Sequence, residues 1–379
     1  FNPASDHVVK AVEKGIEDVK LFLGAKSGVI MAAHSATHAI FRAINAVTAH
    51  IPGKNIVTTE LEHPAVLSPT KYFAEMHNME WRCAKISKET SSVPPENILE
   101  LVDKDTTILV FQHGSNQTGA INDAKYIIEE ARKIKPDLYV VVDAVQYAPH
   151  GPIDVEDIGA DAYAFGPYKA YTVKGIGFAH LSERLDKLPH WNLIGKPEDN
   201  WFLGSPAHPM YMAWSVVMDY LGWLGSQFTQ STDKREQVIA AKDAIHSHMK
   251  ALLHRAMDGT DELAGLRQLD NITPCNMLPE IGNRLGIFLF RVNGMDSSTA
   301  IDHFNKKYHI RLGARIKDPY STVPLEGMGR PDAVARLADL VDAAAQHLDL
   351  VGQAGALGLG LGDARLQTGD LALELGGAV

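Results

Sequence analysis

An α/β fold is predicted for this chain: a large domain on a mainly parallel seven-stranded sheet, followed by a smaller α+β C-terminal domain. Three observations predict it. Over the first 180 residues short apolar runs alternate with stretches of helical periodicity, the pattern of strands joined by crossover helices. Most of those runs are apolar along their length rather than in alternation, as strands covered on both faces are. The chain has 379 residues, 45% of them hydrophobic, which is enough for a large domain and a smaller companion with a core of its own.

Seven runs read as strands: SGVIMAA (27–33), NIVTTE (55–60), MEWRCAKIS (79–87), TTILVFQ (106–112), LYVVVDA (138–144), DAYAFG (161–166) and GIGFAHL (175–181). Between most of them the spacing predicts helices. SATHAIFRAINAVTAH (35–50) sets Ile40, Ala43, Ile44 and Val47 at helical intervals, and NDAKYIIEEARKIK (122–135) opens on Asn122, a residue suited to an N-cap. HPMYMAWSVVMDYLGWLGSQ (208–227) is apolar almost all round, but Asp219 and two glycines interrupt it. It reads as a buried or inter-domain helix rather than a membrane span. The charged helix at 233–257 leads into the second domain, with a strand at 284–292, a helix at 298–308 and another helix near 331–348. The large domain is thus placed at 1–230, its N-terminal segment a candidate to pack on the small domain as well. The small domain is placed at 231–350, and the Gly/Ala/Leu-rich stretch 351–379 reads as a loosely ordered tail.

Composition narrows the function. With 46 acidic against 36 basic residues, a formal charge of −10 and no Lys/Arg block, neither nucleic acid nor an anionic membrane is an expected partner. A small molecule is. Cys83 and Cys275, the two cysteines, sit in no metal-ligand spacing and imply no disulfide framework. No apolar run reaches the roughly 18 residues of a membrane span, and the opening FNPASDHVVKAVEKG lacks the apolar core of a signal peptide. A cytoplasmic location is expected. The chain opens on Phe1 without an initiator methionine, so further residues are expected upstream.

His63, Asn116, Asp143 and Lys169 all fall just past predicted strand ends. Ligands of open parallel sheets bind beyond the carboxyl ends of the strands, so the four can meet in one crevice. An acid there serves a metal or a ring nitrogen, and no second cluster of carboxylates and histidines supplies a metal's usual ligand set. A desolvated lysine has a lowered pKa and can form a Schiff base with a carbonyl. An Asp facing a pyridinium nitrogen and an imine-forming Lys are the two protein groups that pyridoxal phosphate requires. Its phosphate needs an anion site. Ser35, Ala36 and Thr37 sit where the first strand turns into a helix, with backbone N–H groups and two hydroxyls to offer; Ser35 reads equally as a plain N-cap. Lys174 rivals Lys169, but TVKGIG reads as a turn into the next strand, where a lysine is normally solvated.

The run VDAVQYAPHGPIDVEDIGADAYAFGPYKAYTVKGIGFAHL closely resembles the central motif of the class V aminotransferase family. These are pyridoxal-phosphate enzymes of fold type I that include cysteine desulfurases, selenocysteine lyases and isopenicillin epimerase-like proteins. The similarity spans roughly residues 20–225 and, more faintly, reaches about 345. It implies that Asp143 pairs with the pyridine nitrogen, that Gln146 bonds the ring hydroxyl and that Lys169 holds the cofactor. TTELEHPAV (58–66) makes His63 the ring stacked on the pyridine face, and GSNQTGAIND (114–123) brings Asn116 to a substrate or cofactor oxygen. FLGSPAHP (202–209) resembles a turn that, in the family's dimers, sends a hydroxyl to the partner subunit's cofactor phosphate. The resemblance makes Ser205 that hydroxyl and implies a homodimer with shared sites.

Three departures qualify the resemblance. Gly166-Pro167-Tyr168-Lys169 stands where many members have Ser-X-His-Lys, so one hydroxyl ligand is absent, Tyr168 adjoins the cofactor lysine, and phosphate binding leans on Ser35, Thr37 and Ser205. The segment RLGARIKDPYSTVPLEGMGR (311–330) has no cysteine where desulfurases carry their sulfur acceptor; Cys83 and Cys275 read as ordinary buried cysteines. The family's carboxylate-clamping arginine has three candidates, Arg311, Arg315 and Arg336, among which the register does not choose. The expected activity is a cysteine desulfurase-like C–S lyase acting by β-elimination, without a persulfide cysteine. The alternatives are an aminotransferase, an amino-acid epimerase, or a binding protein on a degenerate family fold. A dinucleotide oxidoreductase would need a Gly-X-Gly-X-X-Gly turn after the first strand, and none is there.

Overall fold

The computed structural model describes residues 3–275, 284–316, 318, 321–329 and 334–337. The large sheet comprises β1 (Val29–Ala33), β2 (Asn55–Thr59), β3 (Glu80–Ala84), β4 (Thr106–Gln112), β5 (Tyr139–Asp143), β6 (Ala162–Phe165) and β7 (Gly177–Leu181), each inside its predicted span. Its order is β1-β7-β6-β5-β4-β2-β3. Neighbours run parallel except at β7, which opposes both β6 and β1.

The helices of this domain are α1 (Pro3–Leu23), α2 (Ala36–His50), α3 (Pro64–Met76), α4 (Pro95–Leu99), α5 (Ala124–Ile134), α6 (Val155–Ile158), α7 (Glu183–Asp186) and α8 (His208–Gly225). They cover both faces of the sheet, which is why the strand sequences do not alternate. Along β4, Ile108 and Val110 join a core with Ile40, Ile44 and Val47 of α2, while Leu109 and Phe111 join a core with Phe22 of α1 and Trp214 of α8. Phe22 meets Trp214 edge-on at 4.9 Å. Full burial of an aromatic of this kind contributes roughly 1.5–3 kcal/mol.

The long helix α9 (Lys234–Asp258) leads to a smaller α+β unit with β8 (Ile272–Pro274), β9 (Leu289–Val292), α10 (Ser297–Tyr308), β10 (Leu312–Arg315), α11 (Thr322–Gly327) and β11 (Val334–Leu337). Its sheet is antiparallel, in the order β10-β11-β9-β8. Three expectations need correction. Residues 334–337, placed in a helix at 331–348, form the strand β11, because pairing with both β9 and β10 overrides the local helical spacing; the remainder of that span lies outside the described residues, as does the expected tail at 351–379. The strand expected over 284–292 is regular only as β9, and Arg284 makes an isolated bridge to Ala120 instead. The N-cap of α5 is Asp123, whose carboxylate accepts the Tyr126 N–H, while Asn122 donates Nδ2–H to the Gln112 carbonyl at 2.7 Å. Among the described residues no helix is long and apolar enough to cross a membrane.

Candidate active site

The carboxyl ends of β4, β5 and β6, the loop after β2 and the first residues of α2 open into one cleft. Asp143 is the last residue of β5, 5% exposed, and its Oδ1 accepts the Val145 N–H at 2.9 Å. Burial pushes its pKa up, while the Val145 N–H and the charge of Lys169 pull it back. Lys169 ends a single 3₁₀ turn after β6, and its Nζ donates to Gln146 Oε1 at 2.7 Å. Asp143, Gln146 and Lys169 therefore lie along one wall, together with Tyr168.

His63 lines the same cleft. It caps α3, its Nδ1 accepting the Ala65 N–H at 3.0 Å, so the ring proton sits on Nε2. Burial, and then the charge of Lys169, lower its pKa to about 4. The imidazole is neutral near pH 7, and it can lie against a cationic ring without charge repulsion.

Ser35, Ala36 and Thr37 also line the cleft. Ser35 caps α2 by accepting the His38 N–H at 3.2 Å, and the N–H groups of Ala36 and Thr37, at the first positions of a 15-residue helix, have no intrahelical acceptor. This end favours an anion. Gly177 at the start of β7 makes the approach possible, since a Cβ there would lie 2.0 Å from the Ala36 nitrogen. Asn116 enters from the turn after β4, whose shape is held by Ser115 Oγ accepting the Gln117 and Thr118 N–H groups at 3.1 Å each.

Not every expected residue is here. Ser205 lines a separate small cavity with His34, His38 and Arg42. Arg311 is exposed just before β10, while Arg315 and Arg336 lie on β10 and β11; none of the cleft's described lining residues is an arginine. Lys174 is outside the cleft, its ammonium 5.8 Å from the centre of the Tyr168 ring. Cys275 is buried, and Cys83 is half-buried on β3 with its thiol pushed up to about 12, chiefly by burial.

Sequence reasoning missed Gln112, which also lines the cleft. It ends β4 exactly level with Asp143 in the strand register, and it donates to the Leu61 carbonyl ahead of His63. A polar residue closing the apolar run 108–111 was the available signal. The Gly166–Tyr168 departure also gains a physical reading: a Cβ on Gly166 would come within 2.9 Å of the Tyr168 ring. The phenol occupies space that a side chain at 166 would need, so the two changes are linked.

The cleft thus joins a helix N-terminus that suits a phosphate to a buried acid, an amine-bearing lysine and a neutral imidazole. This donor set fits pyridoxal phosphate, and the seven-stranded sheet with its smaller α+β companion is the fold of the fold type I pyridoxal-phosphate enzymes. The profile described as aminotransferase class V matches residues 3–206. The chain belongs to the class V aminotransferase family. It is 30% identical over 187 residues to the cysteine desulfurase IscS of Dictyoglomus turgidum, covering 48% of this chain and 46% of that protein. It is 30% identical over 249 residues to the aminotransferase-like protein FGM3 of Gibberella zeae, covering 64% of this chain and 58% of that one. The chain thus spans about half the length of these curated relatives. Among solved structures, an apo cysteine desulfurase from Thermococcus onnurineus superposes with a TM-score of 0.73 at 18% identity, over 93% of this chain and 86% of that one. That likeness is one of fold.

Proposed function

We propose that this protein eliminates a β-substituent from an amino acid, as a C–S or related lyase without a protein-bound sulfur acceptor. The observation that carries the reading is the grouping of the buried Asp143 and Gln146 with the half-buried Lys169 in one cleft with the start of α2. Pyridoxal phosphate, when bound, supplies an electron sink for the charge that develops at the substrate's Cα. The protein does the rest. Ser35, Ala36 and Thr37 bind the phosphate, Asp143 holds a proton at the ring nitrogen, Gln146 bonds the ring hydroxyl and His63 covers one ring face. Lys169 would hold the cofactor through its amine and, as a free amine, would take the Cα proton as general base. Asn116 meets a substrate or cofactor oxygen, Tyr168 packs beside the lysine, and one of Arg311, Arg315 and Arg336 receives the carboxylate in a bidentate pair. Ser205 serves the cofactor phosphate of a second subunit.

Support for elimination comes from the likeness to cysteine desulfurases combined with the absence of cysteine from 311–330. Two experiments test the proposal. Lys169→Ala should lose the visible absorption of lysine-bound cofactor and its trapping by borohydride, while Lys174→Ala keeps both; a trappable adduct surviving in Lys169→Ala refutes the assignment. Candidate β-substituted amino acids should release a 2-oxo acid and ammonia with no amino acceptor added. If turnover instead requires a supplied 2-oxo acid, the enzyme is a transaminase.

A further inference from the structure

A second cavity, of about 480 Å³, opens between the start of α5, α6 and the first turns of α9, within the usual size range of small-molecule sites. It shares no lining residue with the cleft. Its floor is polar and buried: His113 is 8% and Asn122 6% exposed, and the Asn122 N–H donates to the His113 carbonyl at 2.9 Å, setting the two side by side.

The protons on this floor can be assigned. Tyr163 is fully buried, and its hydroxyl lies 2.6 Å from His113 Nδ1, its one side-chain partner among the described residues. A buried hydroxyl hydrogen left without an acceptor costs about 1–3 kcal/mol, so Tyr163 donates and Nδ1 accepts. Burial, and then the charge of Lys242, lower the His113 pKa to about 3. The ring is therefore neutral, and its one proton sits on Nε2, for which the described residues supply no acceptor. Asn122 spends its Nδ2 on the Gln112 carbonyl, which leaves its Oδ1 as an acceptor. Tyr147 stacks on His113 at 3.6 Å and 11° and fixes the imidazole plane.

The rest of the cavity limits what can enter. Ile121, Ile153, Ile158 and Ile239 form apolar walls. Asp123, Asp154 and Asp157 stand at the rim with Lys125 and Arg235. Lys125 is paired with Asp157 at 2.5 Å, and Arg235 donates to the carbonyls of Leu21, Phe22 and Ile153. Three acids stand against two cations, one paired with Asp157 and the other held by backbone carbonyls, so the rim is net negative and disfavours a carboxylate.

We propose that this cavity binds a small neutral amide on an apolar body. The amide oxygen accepts the His113 Nε2–H, the amide N–H donates to Asn122 Oδ1, and the body lies among the isoleucines. The site does not rest on the proposed reaction, although it is one strand rung from the cleft: the His113 N–H donates to the Asp143 carbonyl at 2.8 Å. Cyclohexanecarboxamide, with cyclohexanecarboxylate as its charged counterpart, tests the proposal by ligand-observed NMR on the full chain. The amide should bind saturably in the millimolar range, as expected for a ligand this small, and the carboxylate at least about tenfold more weakly. His113→Phe keeps the stacked ring but removes the donor, and should weaken amide binding by about tenfold or more. Ile239→Trp fills the cavity from α9 without touching the floor and should abolish binding, a test that stands even where His113→Phe fails to fold. Absence of saturable binding, equal affinity for the carboxylate, or binding unchanged in Ile239→Trp would overturn the site.

Discussion

Glu62 immediately precedes His63 and is fully buried. Its Oε1 accepts the Thr59 hydroxyl at 2.6 Å, and its Oε2 has no partner among the described residues. Burial raises its pKa from 4.5 to about 8, against the pull of Thr59 and the Gln112 backbone and with a smaller push from Asp143. The folded protein thus keeps a proton that the unfolded chain gives up. The stability this confers is fully present below pH 4.5 and is lost as pH rises through about 8. Glu62→Gln cannot ionise, so at pH 8 it should be more stable than the wild type by roughly 2–4 kcal/mol, with the two converging near pH 4. Denaturant unfolding across that range checks it, and parallel pH profiles would refute it. The same stretch shows what was legible residue by residue. His63, Asn116, Asp143 and Lys169 could be expected in one cleft because each lies at or just past the end of an apolar run, at the rim where the sheet opens. Glu62 and Gln112 were not, because their importance comes from what packs around them. The arginine register could not be read, since it depends on how the smaller unit approaches the larger one.

Lys242 is an anomaly of the α1–α8–α9 packing. It is 1% exposed, its Nζ has no hydrogen-bond partner among the described residues, and it lies 3.9 Å from the centre of the Phe22 ring. Burial, and then Arg235, push its pKa well below 10.5, so the folded state holds fewer protons here than the unfolded chain. Stability is therefore lost as pH falls below the unfolded value. Lys242→Met fills similar volume without the amine and should stabilise the protein by roughly 1–4 kcal/mol at pH 7, with the gain shrinking toward pH 10. Urea unfolding at the two pH values checks this; no gain at pH 7 would refute it. β2, β4, β5, β6 and β7 were legible because each is buried along its whole length; β3, at the edge of the sheet, is only partly buried and carries Glu80 and Arg82. Helix α1 carries a buried stripe at Val12, Ile16, Val19 and Leu23, a helical spacing that the opening residues already display. β11 was misread as helix because its pairing is with strands far away in the chain, which no local window registers.

At the scale of the whole molecule, Ser205 raises the question of how many chains make one site. Within one chain it stands beside His34, His38 and Arg42 rather than in the cleft. Arg42 donates to the carbonyls of Trp191 and Trp201, holding the irregular segment between α7 and α8 against α2. That segment leaves Trp191, Leu193 and Ile194 exposed, apolar surface of the kind that a partner covers. A homodimer in which each Ser205 serves the other subunit's phosphate accounts for both facts, and it predicts a complementation. Ser205→Glu places a negative charge against the partner's phosphate and should be inactive as a homodimer, as should Lys169→Ala. Mixed dimers of the two concentrate both defects in one site and leave the other intact. Subunits exchanged at random in equal amounts should therefore recover about a quarter of wild-type activity. If mixed dimers form, as tag-based copurification would show, and activity does not return, Ser205 acts within its own chain. Sedimentation of an active, stable monomer would refute the shared site outright.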